Sequence, residues 1–94
     1  MFERVVIVTG GADGIGFACA RRFLVDGYRV VIADYSETAG QRAMADLESF
    51  ENNVVFLQCD VSEKLQVHNL IAETLSQFGR IDVLVNNAGI ALKG

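Results

Sequence analysis

The chain is poor in the side chains that metal and redox chemistry use: two cysteines, Cys19 and Cys59, and one histidine, His68, among 94 residues. The cysteines fit no metal-ligand spacing and are too sparse for a disulfide framework, so they read as reduced, structural thiols of a cytoplasmic protein. Cys19 falls in an apolar helical slot and is no candidate nucleophile. His68 has no partner constellation and is expected on a helix surface. No metal site is expected. Basic residues are scarce too, 8 Lys and Arg against 12 Asp and Glu, for a net charge of −4. A nucleic-acid backbone needs a basic face, so that partner class is excluded. The one basic pair, Arg21 and Arg22, reads as a solvated helix face. No apolar run approaches the ~20 residues of a membrane span, and Val5–Val8 is too short for the core of a signal peptide. With 51% hydrophobic and 21% charged residues, the chain reads as core-forming, and its length allows one domain at most.

One pattern repeats along it. Strand-like runs, nearly continuous in apolar character, occur at Arg4–Thr9, Tyr28–Asp34, Val54–Gln58 and Asp82–Asn86. Continuous rather than alternating runs suggest strands buried on both faces, as in a parallel sheet. Three helical patterns lie between them. In the first, Ile15, Ala18, Cys19 and Phe23 share a face, and Gly27 stands at a helix C-terminal position. The second runs from about Glu37 to Ser49, with Ser36 as N-cap and a stripe of Ala39, Ala43 and Leu47. The third begins after Ser62, carries Val67, Leu70, Ile71, Thr74 and Phe78, and ends at Gly79. Phe23, Phe56 and Phe78 read as core. The order βαβαβαβ predicts a doubly wound parallel α/β sheet with strand order 3-2-1-4, helices on both faces and a ligand crevice between strands 1 and 4.

Within that frame, Thr9-Gly-Gly-Ala-Asp-Gly-Ile-Gly16 connects the first strand to the first helix. A glycine turn that opens a helix presents unpaired N–H groups and the positive end of the helix dipole, which suits an anion such as a pyrophosphate. A lone glycine motif is weak evidence, and here its context carries it. Asp34 ends the second strand 18 positions after Gly16, close to the ~20 expected of the acid that accepts ribose hydroxyls in a dinucleotide site. The bland alternative for Asp34 is a solvated loop residue. Asp60 has one as well, a helix-start residue paired with Ser62.

The residues resemble the short-chain dehydrogenases/reductases across the whole chain. Thr9-Gly10-x-x-x-Gly14-x-Gly16 is similar to that family's cofactor turn. Asp60-Val61, after the third strand, resembles its adenine-contacting pair, and Asn86-Asn87-Ala88-Gly89 its signature after the fourth. The resemblance implies a Rossmann-like fold, incomplete here, in which residues 1–94 form the N-terminal part of a single dinucleotide-binding domain. It implies cofactor contacts at Gly10, Asp13, Gly14, Ile15, Gly16, Asp34, Tyr35, Asp60, Val61, Asn87, Ala88 and Gly89. Asp60 is a candidate acceptor for the exocyclic amine of adenine. The Asn amides are architectural as much as ligand-binding. Family members that prefer NADP often carry a basic residue before the middle glycine or just after the second strand. Those positions hold Asp13 and Tyr35, with Asp34 beside them, and two carboxylates would repel a 2′-phosphate. NAD is therefore expected over NADP.

The family's catalytic Tyr and Lys stand four apart on one helix, so that the cation lowers the phenol's pKa. No Tyr-x-x-x-Lys occurs: Tyr28 is followed four positions on by Ile32, and Tyr35 by Ala39. No catalytic residue is therefore expected within the chain. It is expected to be the N-terminal portion of an NAD-dependent oxidoreductase acting on an alcohol or carbonyl, homo-oligomeric when complete and inactive as this piece alone. Its fourth strand, normally central, would then carry an apolar edge. The alternatives are a stand-alone nucleotide-binding or regulatory module without catalysis, and another doubly wound protein such as a methyltransferase or a sugar-nucleotide epimerase relative.

Overall fold

The computed structural model describes residues 3–87. In chain order it contains β1 (Val5–Thr9), α1 (Gly14–Val25), β2 (Arg29–Asp34), α2 (Glu37–Asp46), a 3₁₀ turn (Glu48–Phe50), β3 (Val54–Gln58), α3 (Lys64–Phe78) and β4 (Val83–Asn86). The strands pair in parallel in the order β3-β2-β1-β4, as expected. Their register brings Thr9 level with Ala33 and with Asn86, and Asp34 level with Gln58. All four strands thus release their chain at one edge, where a doubly wound sheet collects its ligand.

Every residue of β1 and the four central residues of β2 are buried. Alternate side chains serve the two faces. Val6, Val8, Val30 and Ile32 pack with Ala20, Leu24, Ala43 and Leu47 of α1, α2 and the residue after it. Ile7, Val31 and Ala33 pack with Leu70 of α3. Continuous burial does not extend to β3 and β4. Beyond Val54, β3 is half-buried to exposed, and β4 alternates, with Leu84 57% exposed. These are the outer strands of the described sheet.

The inward face of α1 differs from the sequence expectation. Its buried residues are Gly16, Ala20 and Leu24. Ile15 is 77% exposed and Ala18 is also at the surface, while Cys19 and Phe23 only flank the core. Hydrophobicity favoured Ile15, but packing a helix tightly on a sheet favours small residues one turn apart, and Gly16–Ala20 supplies them. The second helix is also shorter than the expected span to Ser49. It ends at Asp46 and tightens into the 3₁₀ turn, a common way to satisfy the last carbonyls. Ser36 caps it as expected, accepting from the Ala39 N–H at 3.1 Å. Gly27 and Gly79 follow α1 and α3, as anticipated.

Two packing devices carried no sequence signal that was read. Gly40, within α2, lies against the ring of Phe56, and a Cβ built there would fall onto that ring. Asp82, just before β4, accepts from the Val5 N–H at 2.8 Å and from Arg80 Nε and Nη2 at 2.9 and 2.8 Å. It thereby ties the start of β4 to the start of β1. Hydrogen bonds from Arg80 first, and then from the Val5 backbone, hold the Asp82 carboxyl below the ordinary aspartate value of 3.8.

Two outcomes are expected. Gly40→Ala should gain about 1 kcal/mol in helix propensity and lose about 1–3 kcal/mol to overpacking, for a net fall in urea midpoint. In a Phe56→Ala background the same change should no longer destabilise, a coupling that a double-mutant cycle reads directly. For Asp82, the folded state holds the ionised form more tightly than the unfolded chain. Its contribution is therefore fully present above the unfolded value near 3.8 and is lost as pH falls through the lower folded value. The stability difference between wild type and Asp82→Asn, from urea unfolding at stepped pH, should be constant near neutrality and shrink below that value. A flat difference down to strong acid would refute the assignment.

Candidate functional site

The site is built where β1 ends. Gly10 turns the chain with φ of 63°, and Gly14, first residue of α1, has φ of 54°. Both angles lie in the left-handed region that a Cβ disfavours. Gly16 is required for another reason: a Cβ there would strike the Gly10 carbonyl and come within 2.8 Å of Asn87 Nδ2. The first turn of α1 therefore lies directly on the backbone that precedes it. Asp13 caps the helix, its carboxylate accepting from the Gly14 N–H at 3.0 Å. That is its only capping contact, so the Ile15 and Gly16 N–H groups stand in the helix turn where an anion would be received.

A hydroxyl joins the glycine turn to β4. Thr9, 4% exposed, accepts at Oγ1 from the Asn87 N–H at 2.9 Å, and the same Oγ1 lies 3.3 Å from both Val85 O and Asn86 Oδ1, between which its single proton is shared. Asn87 Nδ2 also donates to Gly10 O at 3.3 Å. The expected architectural role of the Asn pair is thus visible for Asn86 and Asn87. The candidates Ala88 and Gly89 lie outside the described residues.

Asp34 does more than end β2. One carboxylate oxygen accepts from the Ala12 N–H at 3.2 Å and the other from the Ser36 N–H at 3.1 Å. The acid is held between the glycine turn and the start of α2, with remaining lone pairs on each oxygen. Beside it opens a cleft of about 400 Å³ lined by Gly10, Asp34, Tyr35, Cys59, Asp60, Val61 and Ser62. The structure thus brings together five of the candidates, Gly10, Asp34, Tyr35, Asp60 and Val61. Asp13, Gly14, Ile15 and Gly16 form the adjoining helix start rather than this lining, and the 77% exposure of Ile15 leaves it uncovered there. Val61 also belongs to a second cavity, of about 330 Å³, between α3 and the ends of β1 and β4.

The helix-start reading of Asp60, paired with Ser62, is seen in its geometry, and its place in the cleft lining is compatible with the ligand reading. Its Oδ1 accepts from Ser62 N at 3.0 Å and Ser62 Oγ at 2.7 Å. Those two hydrogen bonds keep its carboxyl below the ordinary aspartate range. Burial first, and then the neighbouring Asp60 charge, push the Cys59 thiol up, in keeping with a structural thiol rather than a nucleophile. Two glutamines went unread in the sequence. Gln58 Nε2 donates to Tyr35 O at 3.1 Å, and Gln66 Oε1 accepts from Asp60 N at 2.9 Å. A Gln in the first turn of a helix is a known capping signal and could have flagged Gln66. No pattern along the chain pairs Gln58 with Tyr35. Among the described residues there is no cluster of His, Cys, Asp or Glu able to hold a metal, and no helix long and apolar enough to cross a membrane. His68 is exposed, as expected.

A parallel sheet in this order, with a glycine turn against a helix start and an acid at the end of β2, defines a dinucleotide-binding α/β protein. Residues 4–94 match the family described as short chain dehydrogenase, and the chain belongs to that family. It is 45% identical over 86 residues to bovine (Bos taurus) L-fucose dehydrogenase, covering 92% of this chain and 30% of that protein. To human (Homo sapiens) 15-hydroxyprostaglandin dehydrogenase [NAD(+)] it is 42% identical over 89 residues, covering 93% and 34%. A crystal structure of an actinorhodin polyketide ketoreductase variant with NADPH superposes with a TM-score of 0.87 at 33% identity, covering 93% of this chain and 33% of that one. The chain thus spans about a third of the length of these relatives.

One expectation follows from the Thr9 contacts. Thr9→Val keeps the shape but leaves the Asn87 N–H without its acceptor, and should cost about 1–3 kcal/mol in chemical denaturation. Thr9→Ser, which keeps the hydroxyl, should recover most of that loss.

Proposed function

We propose that this chain is the NAD-holding, N-terminal part of an oxidoreductase whose whole form acts on an alcohol or carbonyl substrate. The observation that carries the reading is the lining of the cleft beside the glycine turn. Among the described residues it contains two carboxylates, Asp34 and Asp60, and no basic side chain. Asp34 is already oriented by the Ala12 and Ser36 N–H groups, so accepting ribose hydroxyls would require no rearrangement of the acid. A 2′-phosphate would meet its charge with no Arg or Lys among the described lining residues to offset it. Relatives named for NAD(+) and crystallised with NADPH both exist, so the choice rests on these side chains.

The glycine turn fits the group on its own terms. The close approach of Gly16 to Gly10 leaves bare backbone and the first N–H groups of α1 for a pyrophosphate. Asp13 fixes the helix start, and Val61 supplies apolar surface at the adenine end. When bound, the nicotinamide ring is the hydride donor or acceptor. Among the chain's own residues, Asp34, Asp60 and the glycine turn bind and orient. No Tyr-x-x-x-Lys is present in the 94 residues to move a proton. The free thiols Cys19 and Cys59 support a reducing, cytoplasmic setting. Homo-oligomeric assembly of the whole protein is carried by the family resemblance.

Calorimetric titration of the chain with NAD, NADP and S-adenosylmethionine tests the proposal, with NAD expected to bind most tightly. Asp34→Ala should weaken NAD and narrow its advantage over NADP. General loosening of the turn would affect both cofactors alike, so an unchanged ratio would remove Asp34 from this role. The chain alone should give no turnover with any alcohol, and measurable NADH formation would overturn the expectation that the chemistry lies outside it.

A further inference from the structure

The segment that presents Asp60 and Val61 to the cleft has no ordinary helix cap behind it. The N-cap position of α3 is Glu63, whose side chain makes no capping hydrogen bond. Instead Gln66, in the first helical turn, reaches back past Glu63, and its Oε1 accepts from the Asp60 N–H at 2.9 Å. The Asp60 carbonyl accepts from the Glu63 N–H at 3.0 Å, and Gln66 N in turn donates to Glu63 O at 3.0 Å. The Asp60 side chain completes the loop through Ser62. Backbone N–H, backbone carbonyl and carboxylate of Asp60 are therefore each held, and Gln66 is the only side chain from α3 in that set. Gln66 also lines a cavity with Tyr35, Gln58 and Asp60, of which Tyr35 and Asp60 line the cleft as well.

We propose that Gln66 is a positioning residue for adenine recognition. By accepting from the Asp60 N–H it fixes the turn that aims the Asp60 carboxylate at the exocyclic amine of the base. This rests on the cofactor reading above. Gln66 itself touches neither base nor ribose in this role, and its effect is transmitted through Asp60. The interaction is solvent-exposed and neutral, which limits it to the low end of hydrogen-bond contributions.

The test compares the chain with Gln66→Ala and Gln66→Glu by titration with NAD and with nicotinamide hypoxanthine dinucleotide, in which a carbonyl replaces the amine. Thermal unfolding is recorded for all three proteins. Wild type should prefer the adenine form. Gln66→Ala should weaken NAD binding about three- to tenfold while changing the hypoxanthine affinity far less, so that the preference collapses. Gln66→Glu keeps an accepting oxygen at the same reach and should restore the preference. Equal losses for both ligands, an unchanged preference in Gln66→Ala, or failure of Gln66→Glu to restore it would each overturn the role of Gln66. Failure of the wild-type chain to bind either dinucleotide would overturn the cofactor reading itself.

Discussion

Gly16 packs on the Gly10 carbonyl so closely that no side chain fits between them, and the rest of the site is arranged around that contact. Because of that contact, α1 begins directly on the end of β1, which brings its N-terminus to the edge where the strands end. Because Gly10 turns sharply, the Ala12 N–H reaches the Asp34 carboxylate. Because Asn87 reaches Gly10 O while its own N–H is held by Thr9, β4 is locked in register with the same turn. A single steric requirement thus couples strand order, helix position and the placement of an acid from the neighbouring strand.

The site is rigid where binding needs it to be. Asp34 and Asp60 each accept two hydrogen bonds, from Ala12 and Ser36 and from Ser62 N and Oγ, so each carboxylate is already oriented before a ligand arrives. The same contacts give these residues a structural role whatever ligand the cleft takes. A turn that offers a carboxylate to a ligand must itself be held, and at Asp60 the helix-start contacts with Ser62 do the holding. For Asp60 the helix-start reading and the proposed ligand reading are therefore compatible.

Much of the fold was legible because its signals are local. Continuous Val and Ile runs marked β1 and β2, Ser36 marked the start of α2, and Gly27 and Gly79 marked helix ends. The acid after β2 and the motifs after strands 1 and 3 pointed to the residues that line the cleft. The face of α1 was misread because burial there is decided by backbone proximity, which rewards Gly16 and Ala20, not by hydrophobicity, which pointed to Ile15. The half-exposure of β3 and β4 escaped for a related reason. An apolar run reports what a strand is able to bury, while its position in the sheet sets what it does bury.

The sequence by itself determined the element order, the parallel sheet and the glycine turn, because each depends on residue type and on spacing. It paired Asp13 with Asp34 as the acids of the cleft, whereas the fold lines the cleft with Asp34 and Asp60 and uses Asp13 to cap α1. Only the tertiary structure decided that Gly40 makes room for Phe56, that Asp82 fastens β4 to β1, and that Gln66 and Gln58 hold the walls of the cleft. Those contacts join segments whose separation along the chain carries no periodicity. A side chain's partner across such a gap is set by the register and packing of the folded sheet, and no local pattern encodes it.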